Sequence, residues 1–236
     1  MWINVYISGI SLNRKSVLAL DLISQFLPPL KPGETGLKAL KWMEEFKVYN
    51  LPVVDGHEYL GLVSEDEILD SNQRDLPVTE FLNEHRKPFV TDEQHIYDVL
   101  RTITSADVST IAVLESNGDF LGSITLQDLL SKFEELAAIS QAGGIIVLEF
   151  DQNDYSLAKI AHVIESNDSK ILSSYVSKKS QSDRMELTIK VDREELAPIL
   201  QSLERHEYNV VGAFQEKQQI DDLRTRYDSF MRYINI

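Results

Sequence analysis

The sequence contains no cysteine. Disulfide bridges, thiolate metal sites and cysteine nucleophiles are therefore excluded, and redox chemistry does not constrain the compartment. The chain also has no run of eighteen apolar residues, so we expect no membrane-spanning helix. The first twelve residues lack the basic start and the small-residue cleavage site of a secretion signal, which leaves a cytoplasmic location as the default expectation.

Positive charge is scarce. The chain has 23 lysines and arginines against 38 aspartates and glutamates, which gives a formal net charge of -15 at pH 7. A net charge of this sign opposes broad electrostatic attraction to nucleic acids and to anionic lipids. We therefore expect no nucleic-acid partner and no membrane partner.

Sequence motifs of common enzymes and metal sites are missing. The five histidines are scattered without a pair at i, i+4 spacing, and no Gly-x-Ser-x-Gly, Gly-x-Gly-x-x-Gly or Walker loop is present. The acidic run at 65–67 falls at a predicted helix start, where acids are favoured by the helix dipole, and it lacks EF-hand spacing. The sequence predicts a protein that is not an enzyme and has no metal site; an unrecognised carboxylate site is the weakest alternative.

An internal repeat is the main positive feature. Residues 122–130 (Gly-Ser-Ile-Thr-Leu-Gln-Asp-Leu-Leu) match residues 61–69, which lie 61 positions earlier. Each phrase predicts the end of a buried strand, a hydroxyl residue at the turn, and a helix with an acid three residues after the hydroxyl. Two copies at this spacing indicate a pseudo-symmetric pair rather than a solenoid.

Apolar periodicity predicts the order strand, helix, strand, strand, helix in each copy. In the first copy Thr35 is the predicted N-cap of a helix that reaches residue 46, followed by strands at 51–55 and 59–63. A further helix is predicted at 16–26, before a turn rich in proline.

The second half of the chain has a different pattern. The sequence Gln-Ala-Gly-Gly at 141–144 is a helix-stop signal, after which the pattern predicts a ferredoxin-like βαββαβ order. Residues 216–236 carry apolar side chains at steps of three, four, three and four, from Ile220 to Ile234. This predicts a C-terminal helix that either docks on its own domain or self-associates.

The repeated phrases resemble the cystathionine-β-synthase (CBS) domain, over about residues 21–136. Members carry a Leu-Pro-Val-Val-Asp-like strand, found here at 51–55, and a closing Gly-h-h-Thr-x-x-Asp-h phrase in which h is apolar. The resemblance implies an α+β fold in which two CBS motifs form a Bateman module. The C-terminal half looks like an ACT domain, and the combination is similar to the bacterial acetoin-utilisation regulatory proteins. The implied limits are 1–20 for an N-terminal segment, 21–76 and 77–140 for the CBS motifs, 144–215 for the ACT-like domain and 216–236 for the helix.

The resemblance implies a nucleoside ligand in the clefts between the two copies. A carboxylate can accept hydrogen bonds from both ribose hydroxyls, and a helix N-terminus favours an anion. The preferred cleft is formed by Thr125 and Asp128 with Val48, Tyr49 and Asn50. The second cleft is formed by Ser64 and Glu67 with Val108, Ser109 and Thr110.

The two clefts differ in their acid, and the hydroxyl and acid also have an alternative role as a helix cap. Glu67 replaces the expected aspartate, and its extra methylene shifts the carboxylate by about 1 Å, so we expect Thr125 and Asp128 to form the working site. Alternatively, Thr125 is simply an N-cap, with Asp128 in the first helical turn.

The implied function is a non-catalytic regulatory sensor that acts as a homodimer and requires no cofactor. Its expected ligand is AMP, ADP, ATP or S-adenosylmethionine. The alternative is a ligand-free adaptor that uses the CBS pair and the ACT-like domain for dimerisation and docking. Ligand-binding ACT domains place a glycine after their first strand, where this chain has Tyr155 and no glycine, which favours dimerisation over amino-acid binding.

Overall fold

The computed structural model describes residues 17–83, 87–151, 154–178 and 184–215. The chain divides into two compact units, Met1–Lys132 and Phe133–Ile236. The predicted C-terminal helix at 216–236 lies outside the described residues, as does most of the N-terminal segment.

The first copy of the repeat is built on a two-stranded antiparallel sheet. Thr35 is the N-cap of its first helix, as predicted, because its Oγ1 accepts the N–H of Lys38 at 3.4 Å. The elements of this copy are α1 (Gly36–Phe46), β1 (Asn50–Asp55), β2 (Glu58–Ser64) and α2 (Glu65–Ser71).

The second copy has the predicted order strand, helix, strand, strand, helix. Its first strand runs parallel to the second, and the second pairs with the third in an antiparallel hairpin. The elements are β3 (Phe89–Thr91), α3 (Ile96–Ala106), β4 (Thr110–Leu114), β5 (Phe120–Thr125) and α4 (Leu126–Leu136).

The prediction of a first strand in the first copy is wrong. Only Leu30 is paired, in a single parallel bridge to Val53, with its N–H donated to Pro52 O at 2.8 Å and its carbonyl accepting the N–H of Val54 at 2.9 Å. The flanking positions 28, 29 and 32 are prolines, which have no N–H to donate, so the ladder cannot extend.

The predicted helix at 16–26 is also wrong over its described part, which contains only a 3₁₀ turn at Ala19–Leu22. The backbone N–H groups here bond to distant parts of the chain: that of Ala19 donates to Gln94 O and that of Ser24 to Ser123 O, both at 2.8 Å. These tertiary bonds replace the i to i−4 bonds that a helix would need.

The core of the first copy lies between the sheet and the two helices. The apolar face of α1 is buried through Ala39 and Met43, and five of the six residues of β1 are buried. These side chains pack with Val63 of β2 and Ile68 of α2. Because β1 is buried on both faces, its sequence is a continuous apolar run rather than an alternating one.

The second unit has the predicted βαββαβ order. Its four-stranded antiparallel sheet has the spatial order β7-β8-β6-β9, and α5 and α6 share a core with it. The elements are β6 (Gly144–Asp151), α5 (Leu157–Glu165), β7 (Ile171–Lys178), β8 (Arg184–Val191), α6 (Ala197–Arg205) and β9 (Asn209–Gln215). The fold class is α+β, as predicted.

Among the residues that the structure describes, no helix is both long enough and apolar enough to cross a membrane.

Candidate functional site

Asn50 joins the two copies of the repeat at the centre of the first unit. Its side chain is buried, with 2% exposure. Its Oδ1 accepts the N–H and the hydroxyl of Ser109 at 2.7 and 2.8 Å and the N–H of Thr110 at 3.2 Å, while its Nδ2 donates to Thr110 O at 2.9 Å. Ser109 Oγ also accepts the N–H of Tyr49 at 2.9 Å. The structure thus joins residues that the sequence assigned to two different clefts.

Both closing phrases form a capping box at the start of a helix. Thr125 Oγ1 donates to Asp128 Oδ2 at 2.6 Å, and the N–H of Asp128 donates back to Thr125 Oγ1 at 3.1 Å. In the other phrase Ser64 Oγ donates to Glu67 Oε2 at 2.8 Å, and the N–H of Glu67 donates to Ser64 Oγ at 3.2 Å. The capping role proposed as an alternative is confirmed for Thr125, and Ser64 has it as well.

The extra methylene of Glu67 does not weaken its capping contacts. Its carboxylate accepts the N–H of Ser64 at 2.9 Å, whereas Asp128 accepts that of Thr125 at 3.0 Å. The longer side chain therefore reaches the same backbone group. Whether Glu67 meets a ribose equally well stays a prediction.

A small pocket opens beside the Ser64 cap. Its cavity volume is about 40 Å³, which is room for about three water molecules, and the pocket opens to solvent. The enclosed part is therefore smaller than a nucleoside, which would extend from the mouth of the pocket. The lining residues come from both copies and from the segment joining them: Tyr49, Asn50, Leu62, Ser64, Glu67, Asn83, Pro88, Asp107 and Val108.

This pocket combines parts of both predicted clefts. Ser64, Glu67 and Val108 belong to the second cleft, whereas Tyr49 and Asn50 were assigned to the preferred one. Backbone pairing links the predicted residues of the second copy to one another. Ser109 O accepts the N–H of Leu126, the residue after Thr125, at 2.9 Å, which places Thr125 and Asp128 beside their own copy's strand β4.

Four lining residues were not predicted from the sequence: Leu62, Asn83, Pro88 and Asp107. Asp107 carries a charge, so the lining contains two carboxylates, those of Asp107 and Glu67. The signal that could have found Asp107 is its place in the sequence, directly before the predicted site residue Val108.

Tyr49 lies at the edge of this pocket, with 44% of its surface exposed. Burial of its hydroxyl raises the pKa of Tyr49, and the negative charge of Asp107 raises it further. The negative charge of Asp107 therefore acts on the side chain of Tyr49 at this pocket.

The second unit offers different chemistry. Tyr155, the bulky residue found in place of a glycine, stacks on Phe150 with ring centroids 5.0 Å apart. A cleft of about 990 Å³ is lined by residues of both charges from β6, α5, the start of β8 and the segment between α6 and β9, among them Glu149, Lys159 and His206. Within the described ranges, no three histidine, aspartate or glutamate side chains are grouped so that they could hold a metal ion.

The family model for the CBS domain matches residues 77–135. Residues 77–135 form a CBS domain. The first copy has the same helix-strand-strand-helix order, so the first unit contains a CBS domain preceded by a second, shortened repeat of the same arrangement.

Several solved structures are similar to about half of the chain. A CBS domain pair/ACT domain protein from Thermotoga maritima is 20% identical, with a TM-score of 0.45 over 50% of this chain and 98% of that chain. A putative acetoin utilization protein from Vibrio cholerae is 16% identical, with a TM-score of 0.45 over 53% and 96%. CBSX2 in complex with AMP is 22% identical, with a TM-score of 0.44 over 50% and 97%.

Proposed function

We propose that the protein is a non-catalytic regulatory protein whose CBS pair binds an adenine nucleotide or a related adenosyl ligand. The observation that carries the proposal is the pocket beside Ser64. A hydroxyl and a carboxylate meet there, and its walls come from both copies of the repeat. A ligand in this pocket would therefore contact both copies and affect how they pack together.

The lining suits a nucleoside. The Glu67 carboxylate can accept hydrogen bonds from both ribose hydroxyls, and Asn50 and Asn83 supply amides at the same pocket. Leu62, Pro88 and Val108 provide apolar surface for a base. The Thr125 and Asp128 pair repeats the hydroxyl and carboxylate of the other copy, and we propose a second site there.

Ligand binding at this small cavity is expected to change how the two copies pack together. We propose that a ligand larger than the enclosed space separates the walls. The hydrogen bonds between Asn50, Tyr49 and Ser109 cross from one copy to the other. A ligand that binds the opened arrangement more tightly shifts the population toward it. We propose that a homodimer in the cytoplasm transmits this change through the ferredoxin-like unit and the C-terminal residues.

A ligand panel tests the function. Adenosine, AMP, ADP, ATP and S-adenosylmethionine are added separately at up to millimolar concentration, and unfolding is followed by the fluorescence of Trp42, which packs against the core of the first copy. At least one ligand should raise the unfolding temperature by roughly 5 °C at a hundredfold excess over its Kd, because binding to the native state adds about 2.7 kcal/mol.

Matched variants localise the effect. Glu67→Ala should reduce the shift, whereas Asp75→Ala, which removes an exposed carboxylate outside α2 that does not line the pocket, should preserve it. If no member of the panel raises the unfolding temperature, the proposed function is wrong.

A ligand-free adaptor is the second candidate, favoured by the small cavity and by the engagement of both carboxylates in capping. It predicts the same ligand response in Glu67→Ala, Asp128→Ala and the wild type. Asp128→Ala lowers stability by about 1 kcal/mol under either function because it removes the carboxylate half of the capping box. The change in ligand response therefore decides between the two.

A further inference from the structure

Lys47 and Asp107 occupy equivalent positions in the two copies. Lys47 follows α1 and Asp107 follows α3, and both are C-cap residues in the left-handed conformation, with φ of 57° and 52°. The next residue in each copy is a valine that is 7% exposed, Val48 or Val108, and both are followed by the strand that enters the centre of the unit. Both charged side chains are exposed.

The equivalence continues into the helix that each cleft uses. Tyr49 O accepts the N–H of Glu65, the first residue of α2, at 2.9 Å, and Ser109 O accepts that of Leu126, the first residue of α4, at 2.9 Å. In the ladders, Asn50 pairs with Ser64 and Thr110 pairs with Thr125. The backbone around the two clefts is therefore the same, and the differences lie in the side chains.

The lining of the pocket shows which residues Asp107 lies beside. Asp107 and Val108 of the second copy line it together with Ser64 and Glu67 of the first. By the pseudo-symmetry of the repeat, the equivalent place beside Thr125 and Asp128 is assigned to Lys47 and Val48. One cleft therefore carries an aspartate where the other carries a lysine.

A second difference in charge points the same way. The first turn of α2 contains three acids, Glu65, Asp66 and Glu67, whereas the first turn of α4 contains only Asp128. A phosphate entering the Ser64 pocket would approach this acidic turn as well as Asp107. At the other cleft it would meet Lys47 and a helix of eleven residues with a single acid at its start.

We propose that the residue after the first helix of each copy sets the ligand charge that the opposite cleft accepts. Lys47 admits a phosphorylated adenosyl ligand beside Thr125 and Asp128. Asp107 restricts the Ser64 pocket to uncharged or cationic adenosyl ligands, such as a nucleoside or a sulfonium compound. This inference rests on the proposed function, because it assigns a ligand class to each cleft.

Titration calorimetry of the full chain with AMP and with adenosine tests the inference. The two ligands differ by the phosphate, so the ratio of their Kd values isolates the charge effect. Lys47→Asn should weaken AMP relative to adenosine by roughly three- to tenfold, because one attractive charge is lost at a solvent-exposed site. Asp107→Asn should strengthen AMP relative to adenosine at the Ser64 pocket by a similar factor.

Asparagine tolerates the left-handed conformation, so both variants keep the backbone of the cap. Lys41→Asn and Asp75→Asn are matched controls that remove one exposed charge of each sign from positions that do not line the pocket, and they should leave the ratio unchanged. If both ligands bind but neither variant changes the ratio, or both variants change it in the same direction, the inference is wrong and the proposed function stands. If neither ligand binds, both are wrong.

Discussion

Replacing Asn50 with alanine is expected to lower the free energy of unfolding of the first unit by about 3 kcal/mol. The side chain accepts three hydrogen bonds and donates one, all across the boundary between the two copies. Alanine would leave the N–H groups of Ser109 and Thr110 without this acceptor at positions that are almost fully buried, and a buried donor without a partner costs about 1 to 3 kcal/mol.

Urea denaturation followed by tryptophan fluorescence measures this effect, because Trp42 packs against the core of the first copy. Asn117→Ala is the matched control. Its amide bonds only to Asp119 within an exposed turn, so the loss should be below about 1 kcal/mol. Equal losses in the two variants would contradict the central role of Asn50.

Replacing Gly143 with alanine should lower the free energy of unfolding of the second unit by about 3 kcal/mol. A Cβ added at this position would lie 1.9 Å from the carbonyl oxygen of Val191, a backbone atom of strand β8 that cannot rotate away. The φ of 152° at Gly143 is also one that side-chain-bearing residues rarely adopt. The start of β6 would have to move away from β8 to relieve the overlap.

Far-UV circular dichroism follows this transition, since residues 133–236 contain no tryptophan that could report it. Gly118→Ala separates the two causes. Its φ is 96°, yet nothing lies within 4 Å of an added Cβ, so it should cost only about 1 kcal/mol. If Gly143→Ala lowers the free energy of unfolding by no more than this, strands β6 and β8 separate at little cost and the prediction is wrong.

Local pattern predicted most elements of the fold. The apolar spacing along α1 and α3, the Thr35 cap and the order of elements in the second unit follow from local patterns that a sequence displays directly. The two errors lie where tertiary bonds decide. The N–H groups of Ala19 and Ser24 bond to Gln94 and Ser123 rather than within an α-helix, and prolines end the ladder at Leu30.

The candidate site was predictable in its residue types and less so in its grouping. The hydroxyl and carboxylate pairs follow from the repeated phrase, and their capping bonds follow from the three-residue spacing. The joining of Tyr49 and Asn50 to Ser109 depends on how the copies pack, which no spacing within one copy specifies. The sequence favoured the Thr125 cleft because Glu67 replaces an aspartate in the other one, whereas the pocket described above lies beside Ser64.

The CBS pair is proposed to bind an adenosyl ligand between its copies. Titration calorimetry of AMP and S-adenosylmethionine into the full chain, with Glu67→Ala and Asp128→Ala in parallel, tests this binding directly. We expect saturable binding in the wild type, with AMP affinity lowered most by Asp128→Ala and S-adenosylmethionine affinity lowered most by Glu67→Ala. The absence of binding heat for both ligands at millimolar concentration, or binding that neither variant weakens, would contradict it.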